Sequence, residues 1–196
     1  MALFQVTAPT VEPITIVEAR HQCRVDTADE DVTLDGLILS AREYVETATH
    51  RPLLRQTWDW KLDGFPSDGG PLTLPLPPVS SITSVTYVDT NGTTQTWSSS
   101  LYRTSLPAGP FAAAATIEPA YGESYPGTRD VSDAVIVRFV CGYGTTAATV
   151  PASLRLATKL LVSHWYDAGR APVNIGNIVT TVPLTIDALT WPYKAF

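Results

Sequence analysis

Three histidines, two cysteines and one acidic cluster are the residues of this 196-residue chain whose types could do chemistry. His21 and Cys23 stand two apart on one expected helix, which sends their side chains to different faces and leaves no nucleophile–base pair between them. His50 falls at an expected helix C-terminus, where the dipole favours a cation, so its role is capping. His164, between Ser163 and Trp165, reads as a packed or interfacial histidine. The three share no H-x-x-x-H spacing and no adjacent carboxylates, so a zinc site would need convergence over long range. Cys23 and Cys141 lie far apart and lack metal-ligand spacing, which makes them buried thiols.

Asp26, Asp29, Glu30, Asp31 and Asp35 invite a calcium reading. They lack the alternate oxygen ligands, the central glycine and the closing glutamate of a calcium loop, and fit the acidic start of a helix instead. Gly142-Tyr143-Gly144 has no G-x-G-x-x-G continuation, and neither a Walker A lysine motif nor G-x-S-x-G occurs. No catalytic, cofactor or metal residue is therefore expected, and the chain reads as a non-enzyme. The aromatics Trp58, Trp60, Tyr87, Trp97 and Tyr102 could form a platform for sugars or bases. Strand aromatics are more often core or cross-strand pairs. A β module binding carbohydrate or a host surface is the alternative that this platform would support.

The elements that must position these residues alternate in period along the chain. Thr15-Ile16-Val17-Glu18 fits a capping box opening a short helix from about Ile16 to Arg24, with Ile16, Ala19 and Cys23 inward. A second helix, from about Glu30 to Thr49, carries Leu34, Leu37, Ile38, Ala41, Tyr44, Val45 and Ala48 on one face. Arg51-Pro52 ends it, because the residue before proline is pushed out of the α region. Leu54 to Phe65 then alternates as a strand, with Trp58 and Trp60 on one face. Leu72-Thr73-Leu74 is a short strand. Ser81–Asp89 and Thr93–Trp97 flank a hairpin turn whose Asn91-Gly92 suits positive φ. Leu101 to Thr104 is expected to continue the sheet, Pro107 to Ala115 to be loop, and Glu118 to Arg129 to be irregular. Ala134 to Cys141 is the strongest β run. Pro151 opens a third helix lined by Leu154, Leu161, Trp165 and Ala168, with Ala157, Leu160 and His164 beside them and Gly169 as C-cap. Residues 170 to 183 read as a mobile or extended link, and a last short helix runs from about Leu184 to Thr190.

Bulk properties narrow the partners. A net charge of −6, with no run of Lys or Arg, argues against a tight grip on nucleic acid but suits a wall past which DNA slides. Charged residues at only 16% leave neutral surface that is compatible with extensive subunit contacts. Sixteen prolines, concentrated between Pro66 and Pro126, indicate turns and short strands in the middle. The first ten residues lack a basic start and an apolar core, and no apolar stretch reaches about 18 residues. The expectation is a soluble cytoplasmic product without a membrane span.

The order of these elements is specific. A capping-box helix, an acidic D-T-A-D-E-D turn and a long helix ending in E-T-A-T-H-R-P-L-L-R-Q-T-W come first. Y-V-D-T-N-G, V-R-F-V-C-G-Y-G and V-P-A-S-L-R-L-A follow. Over almost the whole chain, and most firmly from about Pro13 to His164, this resembles the head–tail connector (adaptor) family of tailed double-stranded DNA phages, prophages and gene-transfer particles. The resemblance implies an α+β fold: a small helical bundle of two N-terminal helices, a later helix and a short C-terminal helix, with an inserted antiparallel β region. It implies one adaptor domain over 1–196, comprising N-terminal helices 13–53, inserted β region 54–145, third helix 150–169, and flexible link with C-terminal docking segment 170–196.

It further implies a structural virion protein at the head–tail interface, made in the host cytoplasm. The protein would form a homo-oligomeric ring of about twelve subunits below the portal. The ring would extend the DNA channel without binding DNA specifically, and dock the stopper or tail-completion protein. Portal docking would fall on Leu184, Ile186, Leu189, Trp191, Tyr193 and Phe196, the kind of apolar and aromatic anchors interfaces favour. Deleting residues 184 to 196 is expected to abolish portal binding and leave the fold intact.

Overall fold

The computed structural model describes residues 2–170 and 184–195; the expected link over 171–183, and Phe196, lie outside them. The chain divides into two compact units. One joins Met1–Pro9 to Arg55–Tyr143 and holds the strands. The other joins Thr10–Leu54 to the described part of Gly144–Lys194 and holds the α-helices.

In the helical unit, α1 spans Ile16–Cys23, α2 Asp31–Thr49, α3 Ala152–Arg170 and α4 Leu184–Thr190. The capping box forms as the sequence requires. Thr15 Oγ1 accepts from the Glu18 N–H at 3.2 Å, and Glu18 Oε2 accepts from the Thr15 N–H at 2.9 Å. Glu18 also reaches α3, accepting from Arg155 Nη2 at 2.8 Å and Lys159 Nζ at 2.7 Å. Arg155 Nε donates to the Pro13 carbonyl at 3.0 Å, fixing the approach to α1.

α2 buries Leu34, Ile38, Ala41 and Val45, while Leu37 and Ala48 are half-buried and Tyr44 lies at the margin, edge-on to Trp165. A charged residue shares the buried face: Arg42 donates Nε to Glu12 and Nη1 to Glu46, each at 2.9 Å. Glu46 also accepts from the Leu53 N–H at 2.7 Å, so one carboxylate satisfies both an arginine and the chain leaving the helix. His50 takes the left-handed conformation at φ 53° and donates its N–H to the Glu46 carbonyl, which ends the helix.

α3 presents a face rotated from the expected one. Leu154, Ala157, Thr158, Leu161, Val162 and Tyr166 are buried, whereas Leu160, His164 and Trp165 are half-buried. The rotation is possible because both polar members are satisfied: Thr158 Oγ1 donates to the Leu154 carbonyl and Tyr166 Oη to Glu30.

The β unit is two antiparallel sheets. Its strands are β1 Ala2–Thr7, β2 Gln56–Leu62, β3 Leu72–Thr73, β4 Val79–Val88, β5 Thr94–Thr96, β6 Tyr102–Ser105, β7 Thr116–Pro119 and β8 Val135–Cys141. The five-stranded sheet runs β1-β2-β8-β4-β5 and the three-stranded one β3-β7-β6. Leu101–Thr104 therefore does not extend the main sheet; its strand pairs with β7, in a stretch the sequence left unassigned or irregular. Trp60, Leu62, Val85, Val137 and Phe139 from the larger sheet and Ile117 from the smaller share one apolar core.

The hairpin between β4 and β5 differs from expectation in one respect. Gly92 alone takes positive φ, at 88°, and Asn91 does not. Asp89 Oδ1 accepts from the N–H groups of Asn91 and Thr93 at 2.9 Å each, so a side-chain turn replaces the two-residue form. A Cβ on Gly92 would collide with the Arg129 guanidinium.

Candidate interaction surfaces

The residues with chemical potential do not converge. His21 is exposed, His50 is an exposed cap and His164 is half-buried on α3. Burial, with Asp167 adding to it, raises the Cys23 thiol above its usual range, which disfavours a thiolate. Cys141 is buried in β8. Among the described residues no group of three or more His, Cys, Asp or Glu is placed to hold a metal ion. The acidic cluster works locally: Asp31 pairs with Arg20, and Glu30 takes the Tyr166 hydroxyl.

The aromatics of the sheet are turned inward. Trp60 and Trp97 are buried, and Trp58, Tyr87 and Tyr102 pack against the same core. Phe65 lies 5.0 Å from Tyr125 in a stacked pair and 5.4 Å from Trp97, while Tyr125 Oη donates to the carbonyls of Gly70 and Ile117. These rings fill space and satisfy turns, so they do not form the platform that sugar binding would need.

The C-terminal segment splits the residues nominated from sequence. Ile186 and Tyr193 are buried within the helical unit, Leu189 is half-buried, and Leu184 and Trp191 are exposed at 85% and 64%. Helical spacing explains the split, since Ile186 and Thr190 lie four apart on one face of α4. A 3-10 turn, Trp191–Tyr193, follows, and buried Arg51 donates Nε to the Tyr193 carbonyl at 2.5 Å. Lys194 Nζ sits 5.0 Å over the exposed Trp191 ring. Removing residues 184 to 196 would thus withdraw Ile186 and Tyr193 from a core and leave Arg51 without its carbonyl. The expectation that such a deletion spares the fold is corrected.

One surface was not foreseen. β1 lies along the edge of the large sheet, with Leu3, Phe4 and Val6 at 41%, 61% and 39% exposure. The Gln5 amide holds it to β2 by donating to Gln56 Oε1 at 2.7 Å, and the register slips by a bulge between Gln5 and Thr7. Phe4, Val6 and Thr7 are β-formers that could have marked it, although six residues at one end of a chain carry little periodicity.

The architecture is therefore α+β, four helices among the described residues in one unit and two antiparallel sheets in the other. No protein-family model and no curated protein matches the chain. Solved structures with this fold do exist. A chain in the neck of an empty GTA particle, computed with C6 symmetry, is similar with a TM-score of 0.80 and 24% identity, over 100% of this chain and 96% of that one. A chain in the virion of a native gene transfer agent particle gives 0.77 and 23%, with the same coverage. A chain in the neck of a native GTA particle, computed with C12 symmetry, gives 0.77 and 21%, again over 100% and 96%.

Proposed function

We propose that this chain is a structural, non-catalytic virion protein of a tailed phage or gene-transfer particle. It is an adaptor that forms a closed ring below the portal, extends the DNA channel and docks the stopper or tail. The observation that carries the reading is similarity of fold over the whole chain, at TM-score 0.80, to a chain of a particle neck. Symmetries of C6 and C12 in two of those neck structures support a cyclic assembly. The net charge of −6, multiplied around a ring, keeps a passing polyanion from adhering.

Portal docking falls on Leu184 and Trp191, the exposed anchors of the C-terminal segment, with half-buried Leu189 beside them. Ile186 and Tyr193 hold that segment in its own unit, and Phe196 lies outside the described residues. The test is co-sedimentation with the portal protein of the same particle. Wild type is expected to bind, and Leu184→Asp with Trp191→Ala to lose binding while keeping its thermal transition. Undiminished binding by that double variant would sink the docking assignment. A wild type that binds no portal at all would sink the adaptor reading.

A further inference from the structure

The strands at the two borders of the five-stranded sheet carry no charged residue. β1 reads A-L-F-Q-V-T and β5 reads T-Q-T, and every residue of both is exposed. Edge strands of proteins that act as single copies are blunted by lysine, proline or a covering segment. β1 has only the bulge between Gln5 and Thr7, and keeps apolar Leu3, Phe4 and Val6 at the border. A row of outward N–H and C=O groups accepts an extended strand and little else. In a chain of net charge −6, a second copy is repelled least where neither copy bears charge.

Strand sense adds a constraint. Each of the four steps β1-β2, β2-β8, β8-β4 and β4-β5 is antiparallel, so β1 and β5 point the same way. A rotation carrying one copy into the next brings these unlike borders together as a parallel pair. That is the head-to-tail contact a closed ring needs, whereas β1 against β1 would stop at a two-fold dimer. We propose that β1 of one copy pairs with β5 of the next, joining the sheets of neighbouring subunits; this rests on the ring reading above. β5 has three residues, so a single contact is weak, and closure of the ring supplies the cooperativity.

Two lysine-blocked chains test the pairing. Phe4→Lys with Val6→Lys charges the β1 border, and Thr94→Lys with Thr96→Lys charges the β5 border. All four positions are exposed, so both variants should keep the wild-type thermal transition. By sedimentation at concentrations where wild type forms rings, each variant alone should lose the ring and run as a monomer. At concentrations raised well above those, where one contact is populated without ring closure, an equimolar mixture should give a species of twice the monomer mass and nothing larger, because one intact β1 meets one intact β5. A ring from either variant alone, a dimer of the β5-blocked chain by itself, or no dimer in the mixture overturns the pairing. Wild-type rings beside any of those outcomes leave the adaptor reading standing; a wild type that never forms a ring, even on its portal, overturns both.

Discussion

The two units reach order by different means. In the helical unit, charged side chains fasten the elements: Arg42 bridges Glu12 and Glu46, and Glu18 gathers Thr15, Arg155 and Lys159. In the β unit the interior is aromatic and aliphatic; Lys61–Asp133 and Arg103–Glu118 pair toward solvent, and Arg138 reaches from the exposed side to hold the buried Asp59. The helical unit is assembled from segments about ninety residues apart: Glu18 ties the first to α3 through Arg155 and Lys159, whereas Arg42 pairs with Glu12 and Glu46 within the first. The β unit obtains register from its ladders and turns, so apolar packing suffices.

The largest expected effect is in the apolar unit. Phe139 is fully buried in β8, with Trp58 and Ile82 as its cross-strand partners. Phe139→Ala should cost about 3–5 kcal/mol in chemical denaturation. Amides of β2, β4 and β8 should lose exchange protection first. If α2 and α3 lose protection first instead, the contrast between the units is wrong.

Arg42→Ala comes next, at about 3 kcal/mol, because it strips Glu12 and Glu46 of their shared guanidinium in a partly buried site. Adding Glu12→Gln should recover part of that loss, since it removes one of the stranded charges. No recovery would mean that Arg42 acts through packing rather than through charge.

Gly92→Ala should cost about 1–2 kcal/mol, from a positive φ and from displacement of Arg129. The effect belongs to the β4–β5 hairpin, and its absence would show that the hairpin re-forms with another turn.

Glu18→Gln should cost about 1 kcal/mol at neutral pH and, unlike the others, depend on acidity. Burial raises the Glu18 carboxyl, but Lys159, the Thr15 N–H and Arg155 outweigh it and hold it below the usual range. Its folded pKa is therefore depressed. The stability it contributes is present above the unfolded value of about 4.3 and is lost as pH falls through the folded value. Glu12 has the opposite sign, because burial raises its carboxyl despite Arg42 and its protonation is favoured in the folded chain. A Glu18→Gln penalty that persists at the acid end would assign the effect to shape rather than charge.

Local signals were legible where the chain satisfies its own needs locally. The capping box at Thr15 and the helix end at His50 and Arg51 are written in neighbouring residues, and α1 and α2 begin and end within a residue of expectation. Strands β2, β4 and β8 announced themselves by β-branched and aromatic alternation. In the second sheet β3 and β6 were legible as short strands, but β7 was not, and two to four residues do not say that the three pair with one another rather than with the main sheet. The face of α3 was misjudged because Thr158 and Tyr166 owe their burial to hydrogen bonds, which periodicity cannot show. The same holds for Tyr193, whose segment is held by Arg51 across 142 positions of sequence. Residue type did nominate the C-terminal anchors, but only folding separates those that hold the segment from those that face outward.

Electron microscopy of the purified chain mixed with its portal tests the central claim most directly. The account predicts a closed ring of this chain seated against the portal, coaxial with it, with the C-terminal segment at the contact. A chain that stays dispersed as single copies while the portal rings remain bare would contradict it.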